Sequence, residues 1–87
     1  MDEKYLIAVS YNYYIQMEYA KCIAISELLL KMNPKNVGAY NNICASQNSL
    51  GNFKAAEAAC EKGLKLAPDE QLLKNNLAVS QKALGNP

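Results

Sequence analysis

The sequence of 87 residues contains no histidine, no arginine and no tryptophan, and the first two absences exclude classes of function. Without histidine the most common general base of enzymes is missing, and no Cys/His catalytic pair can form. Without arginine there is no planar guanidinium to hold a phosphate or a carboxylate through two parallel hydrogen bonds. Nine basic against eight acidic residues give a formal net charge of +1, too small an excess to favour nucleic acid. We therefore expect neither an enzyme nor a nucleic-acid-binding protein.

Long apolar runs are also absent. No run approaches the roughly 18 to 20 residues needed to cross a bilayer, and the acidic start MDEK is unlike the positively charged start of a signal peptide. We therefore expect no membrane insertion and a cytoplasmic location. A chain this short forms one small domain and buries only about 60 to 65 per cent of the surface of its unfolded state, so we expect no deep catalytic cavity.

Cysteine is scarce, and Cys22, Cys44 and Cys60 lack the spacing of metal ligands. We expect all three to be reduced thiols that fill the core. Glu57 and Glu61 lie one helical turn apart, but no histidine and no further acidic residues complete a metal shell around them. We interpret the two glutamates as part of a solvated helix face, and we expect no metal and no cofactor.

What the sequence does contain is an internal repeat. The segment NNICASQNSLGN, residues 41–52, aligns with NNLAVSQKALGN, residues 75–86, after a shift of about 34 positions. The same shift places AISELLLKMNP, residues 24–34, on AACEKGLKLAP, residues 58–68. Two independent stretches thus share one period, which indicates a repeated structural unit.

Proline and glycine divide each period into two helices. Pro34 and Pro68 each follow an apolar stretch of helical periodicity, as a helix end should, while Gly51 and Asn52 split the period in half. Each unit is therefore predicted to be a helical hairpin in an all-α fold. The predicted helices are residues 3–16, 18–32, 37–50, 53–66 and 70–84. The candidate N-caps are Asn36, Asn52 and Asp69.

The second unit, residues 37–70, combines a large aromatic residue, a turn glycine, small residues at a helix crossing and a terminal proline. The residues that carry this pattern are Tyr40, Ile43, Cys44, Gly51, Phe53, Ala56, Leu64 and Pro68. The pattern resembles the tetratricopeptide repeat. The first unit, residues 3–36, is degenerate because Met17 replaces the turn glycine and Ser26 a usual aromatic, and the third, residues 71–87, is a half repeat that forms a C-terminal capping helix. The resemblance implies one domain, residues 1–87, built as a right-handed superhelical array of about two and a half such repeats.

The repeated asparagine pairs, residues 41–42 and 75–76, fall on the side of their helices opposite the packing positions, at about 100° per residue. In the resembled family this side lines a concave groove, where asparagines hold the backbone of a bound peptide. Asn42 and Asn76 occupy that position, and the first unit has Ala8 there. The alternative is that these are solvated positions kept similar by repeat duplication.

A variant of the family clamps a C-terminal carboxylate with lysine, asparagine and arginine side chains from three successive helices. Here Ile7 and Tyr11 stand where the first helix should supply lysine and asparagine, and arginine is absent. We therefore reject a carboxylate clamp, despite Asn42.

The first helix is apolar on nearly all sides, and such a helix is normally buried. Its side opposite the packing positions carries Lys4, Ile7, Ala8, Tyr11, Tyr14 and Ile15. Three interpretations stay open: an apolar wall of a ligand groove, a contact between two copies of the chain, or a surface that further repeats of a longer parent protein would cover. The end LGNP, after a single helix of the third unit, favours the last of these.

These observations predict a non-enzymatic protein–protein interaction module that binds a peptide or protein segment in the concave groove. The alternative is a structural or self-associating segment of a larger repeat protein with no specific groove ligand, in which the first or the C-terminal helix forms a homo-oligomer. The residues expected to line the groove are Lys4, Ile7, Tyr11, Tyr14, Ile15, Asn41, Asn42, Asn48, Asn75, Asn76, Val79 and Lys82.

Overall fold

The computed structural model describes residues 2–85 as five α-helices joined by short turns, with no strand among these residues. The helices are α1 Glu3–Ile15, α2 Tyr19–Met32, α3 Val37–Ser49, α4 Phe53–Leu66 and α5 Gln71–Ala83. The predicted all-α class with five helices is confirmed, and every predicted helix end lies within one residue of the observed one. The predicted repeat match at Asn86 and the proline that ends the chain lie outside the described residues.

The helix N-termini agree with prediction at two of the three candidate caps. Asn36 accepts a hydrogen bond from the backbone N–H of Ala39 at 3.0 Å, which confirms it as the cap of α3. Asn52 occupies the predicted position before α4 but makes no capping bond. The prediction of Asp69 is wrong, because the turn after the proline extends one residue further and Glu70 caps α5 instead.

The turns that follow α1, α3 and α5 keep one geometry even where the sequence differs. Gly51 and Gly85 both have a φ of +81°, a left-handed conformation that glycine adopts at little cost. Met17, which replaces the glycine in the first unit, has a φ of +62° at the equivalent place. The first turn therefore forms as a glycine turn would, although methionine is disfavoured in this conformation.

The helices form two layers. The first layer holds α1, α3 and α5, with α3 packed between the other two. The second layer holds α2 and α4, the second helices of the two hairpins. Small side chains let the hairpin helices approach closely: Ala56 on α4 and Ala39 on α3 are fully buried. The core has two clusters, one around Leu29 and one around Leu73. None of the described helices has the length and apolar character needed to span a membrane.

The cysteines are buried as predicted, but two of them are not reduced. Cys44 and Cys60 form a disulfide that joins α3 to α4, with their Cα atoms 5.5 Å apart. The prediction of three free thiols is wrong because the antiparallel packing of these helices brings together two residues that are 16 positions apart in sequence. Cys22 is a free, buried thiol.

Candidate functional site

The predicted groove residues lie on α1, α3 and α5, which run in the same direction. Ile7 of α1 lies against Gly38 of α3, where an added Cβ would be 3.1 Å from its Cδ1 atom. Three residues further along, Ser10 contacts Asn42. We call the solvent-facing surface of this layer the amide face. It is defined by Lys4, Tyr11, Ile15, Asn41, Asn48, Leu72, Asn75, Asn76, Val79 and Lys82, all exposed or half-buried.

Asn42 does not project from the amide face as the sequence predicts. Its side chain is only 8% exposed, and its Nδ2 atom donates to the hydroxyl of Ser10 at 2.8 Å. The Ser10 hydroxyl donates in turn to the carbonyl of Ile7 at 2.8 Å. Asn42 therefore lies in the seam between α1 and α3. The structure gives it a packing role, because a buried amide needs its hydrogen bonds satisfied.

The other asparagines bind one another across α3 and α5. Asn76 donates from Nδ2 to Oδ1 of Asn41 at 2.8 Å, and Asn48 donates to the main-chain carbonyl of Asn76 at 2.9 Å. Asn75 is exposed and accepts from Gln71 within its own helix at 2.8 Å. The repeat aligns Asn76 with Asn42, yet the two amides serve different partners. These pairs could not be predicted from the sequence, because helical periodicity does not show which side chains of two neighbouring helices are in contact.

On one side of these amides, α1 exposes apolar side chains. Tyr11 is 53% exposed and Ile15 is 59% exposed. Tyr14 is half-buried and stacks on Tyr11, with ring centroids 6.3 Å apart. It also packs edge-on against Tyr19, with ring centroids 5.6 Å apart. Ile7 packs against the core and contributes less to the surface than predicted. Sequence reasoning missed Tyr19, which supports the aromatic row from α2.

On the other side, α5 exposes a second apolar row. Val79 is 51% exposed, and Leu72, which lies two turns earlier, is 58% exposed. Leu72 is not among the predicted groove residues, although it falls on the same helical face as Asn76 and Val79. Lys4 on α1 and Lys82 on α5 are exposed and carry the charges of the amide face.

The cavities of the described part of the chain include two shallow ones away from the centre of the amide face. One, of about 590 Å³, lies at the start of α1 and is lined by Asp2, Glu3, Lys4, Ile7, Met32 and Asn36. Glu3 accepts from Asn36 at 2.9 Å and from Asn33 at 2.8 Å, and these hydrogen bonds hold the pKa of its carboxyl below the usual range. The other, of about 290 Å³, lies between α2, α3 and α4.

Two acidic residues, Asp2 and Glu3, line the first cavity, and Glu3 is held by two amides. Residues 2–85 contain no cluster of three potential metal ligands. Glu57, one of the two acids singled out by sequence, is half-buried, and Glu61 is exposed on the same helix. Nothing in these positions pairs a nucleophile with a base.

The sequence of the chain was compared with those of known proteins. No family model matches the chain. The Hsp70-Hsp90 organizing protein of Triticum aestivum is 35% identical over 69 residues. The match covers 79% of this chain and 12% of that protein, so the chain spans only a small part of its relative's length. The chain is thus similar, over most of its residues, to a segment of a protein named for organizing two others.

Proposed function

We propose that this chain is a non-enzymatic protein-interaction module and that it binds a peptide or protein segment on the amide face. The observation that carries the proposal is the arrangement of two exposed apolar rows, Tyr11 with Ile15 and Leu72 with Val79, on either side of half-buried asparagines. Exposed apolar side chains grouped around fixed polar groups are typical of binding surfaces. An organizing protein as a relative supports an adaptor role without catalysis.

The organisation proposed with this function is a tetratricopeptide-like array. Residues 3–36 form the first, degenerate repeat, residues 37–70 the second, and residues 71–87 a C-terminal half repeat. In such an array the amide face is the concave side of a right-handed superhelix. We propose a cytoplasmic location with it.

The groove residues have two kinds of role in the proposed binding. The exposed and half-buried members of the amide face contact the ligand directly. Asn42 acts indirectly, because its bond to Ser10 sets the position of α1 beside α3. Ile7 and Tyr14 support the exposed side chains from below.

A second candidate is self-association through α1. Tyr5 is 63% exposed and Met17 is 71% exposed, and neither belongs to the amide face. A second copy that covered these residues would make the chain a structural or self-associating segment without a groove ligand. Sedimentation velocity distinguishes the two, because self-association makes the sedimentation coefficient rise with concentration and Tyr5→Ser abolishes the rise.

The experiment that tests the proposed function is capture by the immobilised chain from a cell extract, repeated with matched variants. Tyr11→Ala and Val79→Ala remove apolar groups from the two rows, whereas Lys62→Glu changes an exposed residue of α4 on the opposite layer. We expect the first two to weaken binding of the captured protein by about tenfold or more, since truncated anchors cost about 2 kcal/mol. We expect Lys62→Glu to leave binding unchanged.

The reverse pattern would contradict the proposal. If Lys62→Glu abolished capture while Tyr11→Ala and Val79→Ala retained it, the binding surface would be the layer of α2 and α4. Circular dichroism of each variant shows that a loss of binding is not a loss of helices.

A further inference from the structure

The disulfide occupies a pair of positions that the repeat places in both hairpins. Cys44 and Cys60 in the second unit align with Ser10 and Ser26 in the first. All four side chains are fully buried, and in each hairpin one of them lies on the first helix and the other on the second. The second hairpin is therefore joined by a covalent bond where the first has two serines.

The hairpin that carries the covalent bond, α3–α4, is the centre of the fold, and we call it the central hairpin. Helix α3 packs against each of the other four described helices, and α4 packs against α5 as well. Asn42 donates to Ser10 of α1, and Asn48 donates to the main-chain carbonyl of Asn76 on α5. The Nδ2 atom of Asn48 also lies 3.9 Å from Sγ of Cys44. The disulfide thus holds the element that positions both α1 and α5.

The contribution of the disulfide to stability follows from the length of the loop that it closes. The two cysteines are 16 positions apart. Closing a loop of this length restricts the unfolded chain enough to lower its population about a hundredfold relative to the folded chain. A chain this short buries comparatively little surface, so a factor of this size is a large share of its stability.

Burial controls how the disulfide is reduced. A thiolate must reach one of the two sulfur atoms to break the bond, and Cys44 and Cys60 are both 0% exposed. The remaining cysteine, Cys22, is itself a buried thiol. Reduction therefore requires α4 to move away from α3, and its rate depends on how often the hairpin opens.

We propose that Cys44 and Cys60 form a redox lock on the central hairpin. The lock opens by exchange with a dithiol, whose first thiolate forms a mixed disulfide with one cysteine and whose second displaces that cysteine as a thiol. The S–S bond of the chain is replaced by two S–H groups, and the dithiol is oxidised to its own disulfide. Closing reverses these steps. Because the fold holds the two Cα atoms 5.5 Å apart, a usual spacing for a disulfide, folding and closing favour each other.

The lock makes the stability of the chain depend on its redox environment. Cytosolic thiols keep most disulfides reduced, so in a cytoplasmic location the lock is open under reducing conditions and closes under oxidation. The open chain has an equilibrium constant of unfolding about a hundredfold larger than that of the closed chain. This inference does not depend on which ligand the amide face binds.

The lock is tested by urea unfolding of the chain after treatment with oxidised glutathione and after reduction with dithiothreitol, a dithiol. We expect reduction to raise the equilibrium constant of unfolding about a hundredfold. A reduced chain without helices would be a larger effect in the same direction. The matched control is Cys22→Ala, because the second unit has alanine at the equivalent position, Ala56. This variant should keep the full difference between the two states, whereas equal stability of the oxidised and reduced native chain would overturn the inference.

A second variant removes the lock and keeps small side chains at both positions. Cys44→Ser combined with Cys60→Ser copies the serine pair of the first unit, and its stability should respond to neither reagent. Counting thiols checks the bond itself. After removal of the reagent and unfolding in urea, the oxidised native chain should react with one equivalent of iodoacetamide and the reduced chain with three. Three equivalents in the oxidised sample, or a redox response retained by the double variant, would overturn the inference.

The role of burial is tested by the rate at which dithiothreitol reduces the chain, followed by alkylation and mass spectrometry. We expect reduction of the folded chain to be at least about a hundredfold slower than reduction in denaturing urea, since the hairpin must open first. The rate should rise steadily with urea below the unfolding transition. Equal rates for the folded and unfolded chain would show that the sulfur atoms are reachable without opening and would overturn the control of the lock by the hairpin.

Discussion

Three buried serines give the sharpest test of how α1 is held against α3. Ser10, Ser26 and Ser46 are all fully buried, but only the Ser10 hydroxyl has hydrogen-bond partners among the described residues. Ser10→Ala removes the acceptor of the Asn42 amide and leaves a buried donor unsatisfied. That desolvation penalty is about 1 to 3 kcal/mol. The free energy of unfolding should fall by this amount, less a helix-propensity gain of about 0.5 kcal/mol from the alanine.

The other two serines serve as matched controls. Ser26→Ala and Ser46→Ala delete hydroxyls that have no partner in the described structure, and alanine is the better helix former by about 0.5 kcal/mol. We expect these variants to be unchanged or slightly more stable. The assay is urea unfolding monitored by circular dichroism at 222 nm, a wavelength at which the signal reports helix content.

A double variant separates the hydrogen bond from the side-chain volume. Ser10→Ala combined with Asn42→Leu replaces both partners by apolar groups, so no donor is left unsatisfied. Most of the stability lost in Ser10→Ala should return. The reasoning is refuted if Ser10→Ala and Ser46→Ala have equal effects, because the Asn42 bond would then contribute nothing.

Three further predictions concern the backbone and the pH dependence of stability. Gly63→Ala should lower the free energy of unfolding by about 1 to 3 kcal/mol, less a helix-propensity gain of about 1 kcal/mol, because an added Cβ would lie 2.8 Å from the buried Leu73. Gly38→Ala would place its Cβ 3.1 Å from the Cδ1 end of Ile7 and 3.4 Å from Oδ1 of Asn36, and with the same propensity gain it should change stability little. Met17→Gly should stabilise the chain by about 1 kcal/mol, since it relieves a left-handed methionine. The hydrogen bonds that lower the pKa of Glu3 stabilise the fold above the pKa of an unfolded-chain glutamate, about 4.3, and the contribution is lost as pH falls through the lower folded pKa.

All three are measured by chemical unfolding, the last across a pH series. Equal stability of the Gly63 and Gly38 variants would contradict the close packing of α4 on α5. A destabilised Met17→Gly would show that the methionine side chain makes contacts worth more than the strain. For Glu3, a Glu3→Gln variant whose stability falls with acid as steeply as that of the native chain would rule out this carboxylate as the cause.

The helices could be predicted from sequence because their signals are local. Periodic apolar positions, two prolines and the repeated glycine define each hairpin without reference to any distant residue. The internal repeat indicates the same helix boundaries independently of these local signals. Even the turn at Met17 follows from the repeat, since the first unit has the same length as the second.

What could not be predicted depends on distances between helices. Asn42 lies at the edge of its helical face, and whether such a residue faces solvent or a neighbour is decided by where Ser10 of α1 lies. The disulfide has the same origin, because the spacing of Cys44 and Cys60 in sequence says nothing about how α3 packs on α4. The cap at Glu70 depends on the path of a single turn. The first two errors are contacts between helices that were themselves correctly predicted.

The central claim, that the amide face binds a protein segment, is tested most directly by nuclear magnetic resonance of the isotope-labelled chain. The captured partner is titrated in, and the backbone amide signals and the side-chain amide signals of asparagine are followed. We predict shifts concentrated at Tyr11, Asn41, Asn76 and Val79. Shifts confined to α2 and α4, around residues such as Lys62, would contradict the claim.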